Sequence, residues 1–182
     1  MAVRDPLPEV EAVAGLDIRG SIVGLTVVHY WTQQVDTSFG VFCPPSYCAD
    51  HPFRRIILAA HALAKLTRRP GALMVRARSP EDIHPDVLGL MFDLPTVACC
   101  PAGSWPQPDF ERGARSRFPG VNAWNLRTQA DERPILVVPG HRADLESSID
   151  LVLGLSNGRY PVPLTSARRL TALLSGREPD AR

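Results

Sequence analysis

The stretch ALMVRARSPEDIHPDVLGLMFDLPTVACC, residues 72–100, decides the fold. Its opening ALMVRA, residues 72–77, reads as a strand. Ser79 with Asp82 three residues on resembles a helix-capping arrangement. Ile83, Val87, Leu90, Met91 and Leu94 then fall at i, i+4, i+7, i+8 and i+11, one stripe of a helix. Proline is tolerated at a first helical position, so the ordered part is expected to begin at Pro85. TVACC, residues 96–100, is a short buried strand.

Strand, helix, strand is the unit of a parallel sheet covered by helices, and the flanks extend it. Towards the C-terminus, PILVVPG (134–140) is the clearest buried strand. Leu145, Ile149, Val152 and Leu153 mark the helix after it, and Asn157-Gly158 ends that helix. A last helix, capped by Thr165, is expected to bury Leu170, Leu173 and Leu174. Towards the N-terminus, Phe53, Ile56, Ile57, Ala60, Leu63 and Ala64 give a helical face that stops before Pro70-Gly71. Residues 21–32 and 36–43, rich in β-branched and aromatic side chains, form an antiparallel strand pair. Residues 7–15 are expected to form a short helix. The fold class is therefore α/β: a single domain over residues 1–176, with a mainly parallel sheet flanked by helices, an N-terminal antiparallel pair, and a disordered tail at 177–182.

One segment departs from this pattern. Residues 101–133 show no sustained apolar period, although Trp105, Phe110, Phe118 and Trp124 lie among prolines, glycines and arginines. A short helix over 109–117 is expected, and the segment is either a crossover anchored by its aromatic residues or a lid.

Composition narrows the function classes. The apolar fraction of 45% and charged fraction of 21% are those of an ordinary globular protein. A formal net charge of +1 gives no global electrostatic case for nucleic acid or a membrane surface, and neither is expected as a partner. RRLTALL (168–174) reads as a solvated helix face. The early sequence has acids and prolines and no apolar run of a signal peptide, and RRIILAAHALAKL (54–66) is too short to span a bilayer. A cytoplasmic location with reduced thiols is expected.

Ligands of open α/β sheets bind outside the carboxyl ends of the parallel strands. If the strands ending at residues 76, 100 and 140 are neighbours, one crevice gathers Arg76, Arg78, Ser79, Cys100, Ser104, His141, Arg142 and Asp144. In it Cys100 and His141 are a candidate nucleophile and base, with Asp144 orienting the ring or capping the helix. Arg76, Arg78, Ser104 and Arg142 are candidate ligand-binding residues. Separately, CPPSYCADH (43–51) spaces Cys43, Cys48 and His51 as zinc ligands are spaced, with Cys99, Cys100, His84 or His141 available to complete the set. Two function classes follow: a small-molecule pocket, with or without Cys/His chemistry, and a non-enzymatic interaction or regulatory module that docks a protein partner and is stabilised by structural zinc.

Overall fold

The computed structural model describes residues 10–43, 53–78, 85–102, 113, 115–117 and 122–176. The strands β1 (Ala12–Arg19), β2 (Ile22–His29) and β3 (Val35–Phe42) come first, and α1 (Arg54–Leu63) follows. Next are β4 (Ala72–Arg76), α2 (Pro85–Phe92) and β5 (Thr96–Pro101). Two short strands, β6 (Arg115–Arg117) and β7 (Trp124–Leu126), precede β8 (Ile135–Pro139), α3 (Leu145–Gly154) and α4 (Val162–Leu174). The strands make one sheet in the order β3-β2-β1-β4-β5-β8-β7-β6.

The α/β class and the antiparallel pairing of β2 with β3 are present, and the sheet is mixed. β1 runs parallel to β4 and β4 to β5, while the other neighbours are antiparallel. The parallel run is thus the three-strand centre of the sheet. β8 enters beside β5 from the opposite direction, pairing Val97 with Pro139 and Pro101 with Ile135.

The N-terminal helix expected over residues 7–15 gives way to β1 from Ala12 onward. Alternation wins there because Val13, Gly15 and Asp17 face one side of the sheet and Ala14, Leu16 and Ile18 the other, each side with its own core. Ala14, Leu16, Leu73, Val75 and Cys100 pack beneath α1 and α2. Val13, Met74, Val97 and Cys99 pack with Ile149, Val152 and Leu164 of α3 and α4. Burial on both faces explains why β1, β4 and β5 read as nearly continuous apolar runs.

α4 lies on β1 and β2 by another face than its leucines suggest. Leu164, Ala167, Thr171 and Ala172 are buried, whereas Leu173 and Leu174 are exposed. The helix begins at Val162, ahead of the expected cap at Thr165, because Pro163 sits in its first turn. The small face permits close approach. A Cβ built on Gly15 would meet the Pro163 backbone at 2.3 Å, and one on Gly24 would meet the Ala167 carbonyl oxygen at 2.3 Å.

The irregular segment also resolves differently at its end. Residues 115–117, expected in a helix, form strand β6, which with β7 adds an antiparallel edge to β8. Trp105, Phe110 and Phe118 lie outside the described residues, as do residues 177–182. Among the described residues, no helix is long and apolar enough to cross a membrane.

Candidate functional site: an arginine-lined cleft

A cleft of about 770 Å³ opens at the carboxyl ends of β1 and β4. Asp17, Arg19, Arg76 and Arg78 supply its charged lining, and Phe42, Pro101 and Leu174 its apolar rim. Its placement follows from register. Leu16 pairs with Val75 and Arg76 with Cys99, so Asp17, Arg76 and Cys99 form a row across three parallel strands on the α4 side of the sheet.

Asp17 is the charged end of this row. Its side chain is only 6% exposed, and a buried carboxylate is tolerated where it is paired. Thr171 of α4 donates its hydroxyl to one carboxylate oxygen, Oδ2. Arg19 Nε lies 3.4 Å from the same oxygen, and an Arg76 terminal nitrogen lies 3.6 Å from Oδ1. Arg76 in turn stacks over Tyr160, with its guanidinium carbon 4.9 Å from the ring centroid. Burial and the nearby Arg168 pull the Arg76 pKa below its ordinary value, opposed by Asp17 and Tyr160. A guanidinium nevertheless stays charged at any working pH. Among the described residues, three guanidiniums against one carboxylate leave the lining net positive.

The turn beneath the cleft is built for tightness. β1 and β2 are joined by Gly20 and Ser21 alone, and Gly20 adopts a positive φ of 56°. Arg54, at the start of α1, donates to the Ser21 hydroxyl at 2.8 Å, tying the turn to the helix.

Of the described residues singled out from the sequence, Arg76 and Arg78 line this cleft, and the others lie elsewhere. Because β8 is antiparallel to β5, His141 is carried to the amino end of β5, where its carbonyl accepts from the Thr96 amide at 3.0 Å. Cys100 is at the carboxyl end, about 13 Å of strand away, so the structure separates the proposed nucleophile from its base. Arg142 pairs with Asp93 at 2.6 Å, alongside His141 and Arg69, each 3.6 Å from that carboxylate. Partial desolvation pushes the Asp93 carboxyl up, but Arg142, His141 and Arg69 outweigh it and hold its pKa below the usual range. Asp144 caps α3, accepting from the Ser147 amide at 2.8 Å. Ser79 and Ser104 lie outside the described residues.

Cys99 and Cys100 are core side chains, one on each face of the sheet and both with no exposed surface. Burial, with the neighbouring Cys100, pushes the Cys99 thiol well above its ordinary pKa. That is the opposite of an activated nucleophile. Of the zinc candidates, Cys43 is buried at the end of β3, and Cys48, His51 and His84 lie outside the described residues.

The cleft also fits a divalent cation badly. Magnesium and calcium take several oxygen ligands, usually including more than one carboxylate. Among the described residues Asp17 is the cleft's carboxylate, both its oxygens face basic or hydroxyl donors, and no group of three or more His, Cys, Asp or Glu side chains could hold a metal. Sequence reasoning passed over Asp17. The available signal was a lone acid inside the apolar alternation of VAGLDIRG, residues 13–20.

Comparison with known proteins identifies the lineage. The family model for Endonuclease V matches residues 4–169. An Endonuclease V of Methanothrix thermoacetophila is 40% identical over 92 residues, covering 46% of this chain and 41% of that protein. The matched regions span about two fifths to a little over half the length of the first curated relatives. Among solved structures, the Endonuclease V of Bacillus subtilis shares the fold with a TM-score of 0.79 at 20% identity, over 96% of this chain and 86% of that one. The Endonuclease V of Ciona intestinalis, crystallised with a 23mer DNA containing an inosine followed by a ribo-adenosine, superposes with a TM-score of 0.76 at 17% identity, over 95% and 90% of the two chains. These matches overturn both the small-molecule pocket and the regulatory module with its protein partner. They also correct the exclusion of nucleic acid, which rested on a net charge that averages over the whole surface and is blind to a local cluster of arginines. The chain belongs to the Endonuclease V family.

Proposed function

We propose that this protein acts on nucleic acid, seating a phosphodiester of a single strand against the arginines of the cleft and stacking an adjacent base on Phe42. The observation that carries the reading is the cluster of Arg19, Arg76 and Arg78 at the carboxyl ends of the central strands, with Phe42 67% exposed on the same rim. Guanidinium forks match phosphate oxygens in pairs, and an exposed ring beside a basic groove is a platform for any unpaired base. A duplex keeps its bases stacked inward, so the combination favours an unpaired or extruded nucleotide. The reading concerns how the strand is bound; the scission that the family's name denotes is not part of it. A cytoplasmic location belongs to the reading, and the buried thiols Cys43, Cys99 and Cys100 suit a reducing compartment.

Fluorescence anisotropy of a labelled oligonucleotide tests the proposal. Phe42→Ala is expected to weaken single-strand binding by about 1–3 kcal/mol, and Arg78→Ala, at an exposed position, to weaken it without loss of fold. Lys65→Ala, remote from the cleft, serves as the control. If all three variants bind like the parent, the cleft is not the nucleic-acid interface.

A further inference from the structure

We propose that the cleft is a metal-independent phosphodiester receptor, in which the Arg76 guanidinium supplies beside Asp17 the positive charge that nucleases ordinarily take from a divalent cation. The inference rests on the nucleic-acid reading above and specifies how the strand is held.

Enzymes that hydrolyse phosphodiesters commonly clamp the reacting oxygens with one or two divalent ions bound by carboxylates. Here the buried carboxylate is already committed. Arg76 reaches Oδ1, while Arg19 and the Thr171 hydroxyl reach Oδ2, so donors stand where a cation would need lone pairs. A divalent ion at Asp17 would also sit within a few ångströms of two guanidiniums, and burial strengthens that repulsion. Arg76 is held there by the sheet. It is the last residue of β4, aligned with Cys99 of β5, and its guanidinium carbon lies over the Tyr160 ring.

The same geometry suits an anion. Arg76 Nε is buried without a hydrogen-bond partner, so Asp17 leaves donor capacity in the fork. Arg19 and Arg78 flank it in the cleft. Asp17 orients the guanidiniums and tempers their charge. The ligand class is thus the phosphodiester of a nucleic-acid strand, bound without a metal bridge and left intact. This corresponds to a binding member of a nuclease family rather than a cutting one.

The experiment measures binding of a labelled single-stranded oligonucleotide at matched ionic strength, in excess EDTA and in excess magnesium or manganese, with the strand's integrity followed on a denaturing gel. Affinity is expected to agree between conditions to within about twofold, and Arg76→Ala to lower it about tenfold in both. Arg78→Ala, which leaves the buried pair with Asp17 untouched, is expected to lower it in both as well and guards against a folding defect in Arg76→Ala. The strand is expected to remain whole. Manganese titration followed by electron paramagnetic resonance should reveal no ion whose binding Asp17→Asn removes. Binding that appears only with the metal, cleavage in its presence, or an Asp17-dependent manganese site would overturn the inference while leaving the nucleic-acid reading intact. Absence of strand binding in every condition would instead overturn that reading, and the inference with it.

Discussion

Asp17 shows how one side chain gains meaning from its neighbours. Alone in a strand it is an expensive buried charge; with Arg19, Arg76 and Thr171 it becomes the keystone of the cleft floor. Asp17→Ala leaves Arg76 without its partner, and a loss of about 3–5 kcal/mol is expected from the uncompensated charge, read as a lowered denaturation midpoint. Cys99 makes a second prediction. Its raised pKa keeps the folded thiol protonated, whereas the unfolded thiol ionises above a pH of about 8.5. The unfolded state therefore binds fewer protons there, and stability is full below that pH and falls as pH rises, by up to about 1.4 kcal/mol per unit. Urea denaturation at neutral and alkaline pH should show the decline, and Cys99→Ala should flatten it. In the native protein neither Cys99 nor Cys100 should react with iodoacetamide before unfolding. Asp17 escaped the sequence reading because its significance lies in the parallel register that sets Arg76 beside it, and register is not written in either strand's own residues. The two cysteines were visible as an oddity, but only burial on opposite faces of β5 distinguishes packing from chemistry.

At the scale of elements, the close seating of α4 on β1 and β2 is the contact most open to attack. A methyl at Gly15 has no place to go, because what it meets is the Pro163 backbone rather than a flexible side chain. Gly15→Ala is expected to cost about 3 kcal/mol or more, and to loosen the Thr171 contact with Asp17 along with the helix. Gly20→Ala, with open space around it, should cost less, its penalty arising from the positive φ alone. A thermal melt of the two variants ranks them. The strand-helix-strand unit over residues 72–101 was legible because its periods change cleanly from two to 3.6 and back. The direction of β8 was not, since a strand buried on both faces reads the same whichever way it runs. That one reversal moved His141 to the amino end of β5, opposite the cleft, and dissolved the crevice expected from the sequence. β1 was misread because its alanines and glycine carry little strand propensity, and the patch that Gly15 leaves bare is the seat of α4.

For the molecule as a whole, a near-neutral charge and a basic cleft are compatible because the arginines at the carboxyl ends of β1 and β4 are offset by acids elsewhere, such as the exposed Asp36, Asp86 and Asp150. Long-range attraction to nucleic acid is accordingly weak, and binding depends on contact. If Arg19, Arg76 and Arg78 together neutralise about three phosphates of a single strand, the logarithm of affinity should fall against the logarithm of salt with a slope of about −2. A much steeper slope would place most of the interface outside the cleft.

The hydrogen bond from Thr171 to Asp17 joins residues 154 positions apart. During synthesis, β1, β2 and β3 emerge first and can pair locally, but the groove over Gly15 and Gly24 stays open until α4 has left the ribosome. Assembly of the cleft is therefore a late folding event, gated by translation of the segment that covers the earliest strands. Nascent chains halted before residue 162 carry an uncapped sheet face and an acid with no hydroxyl to hold it.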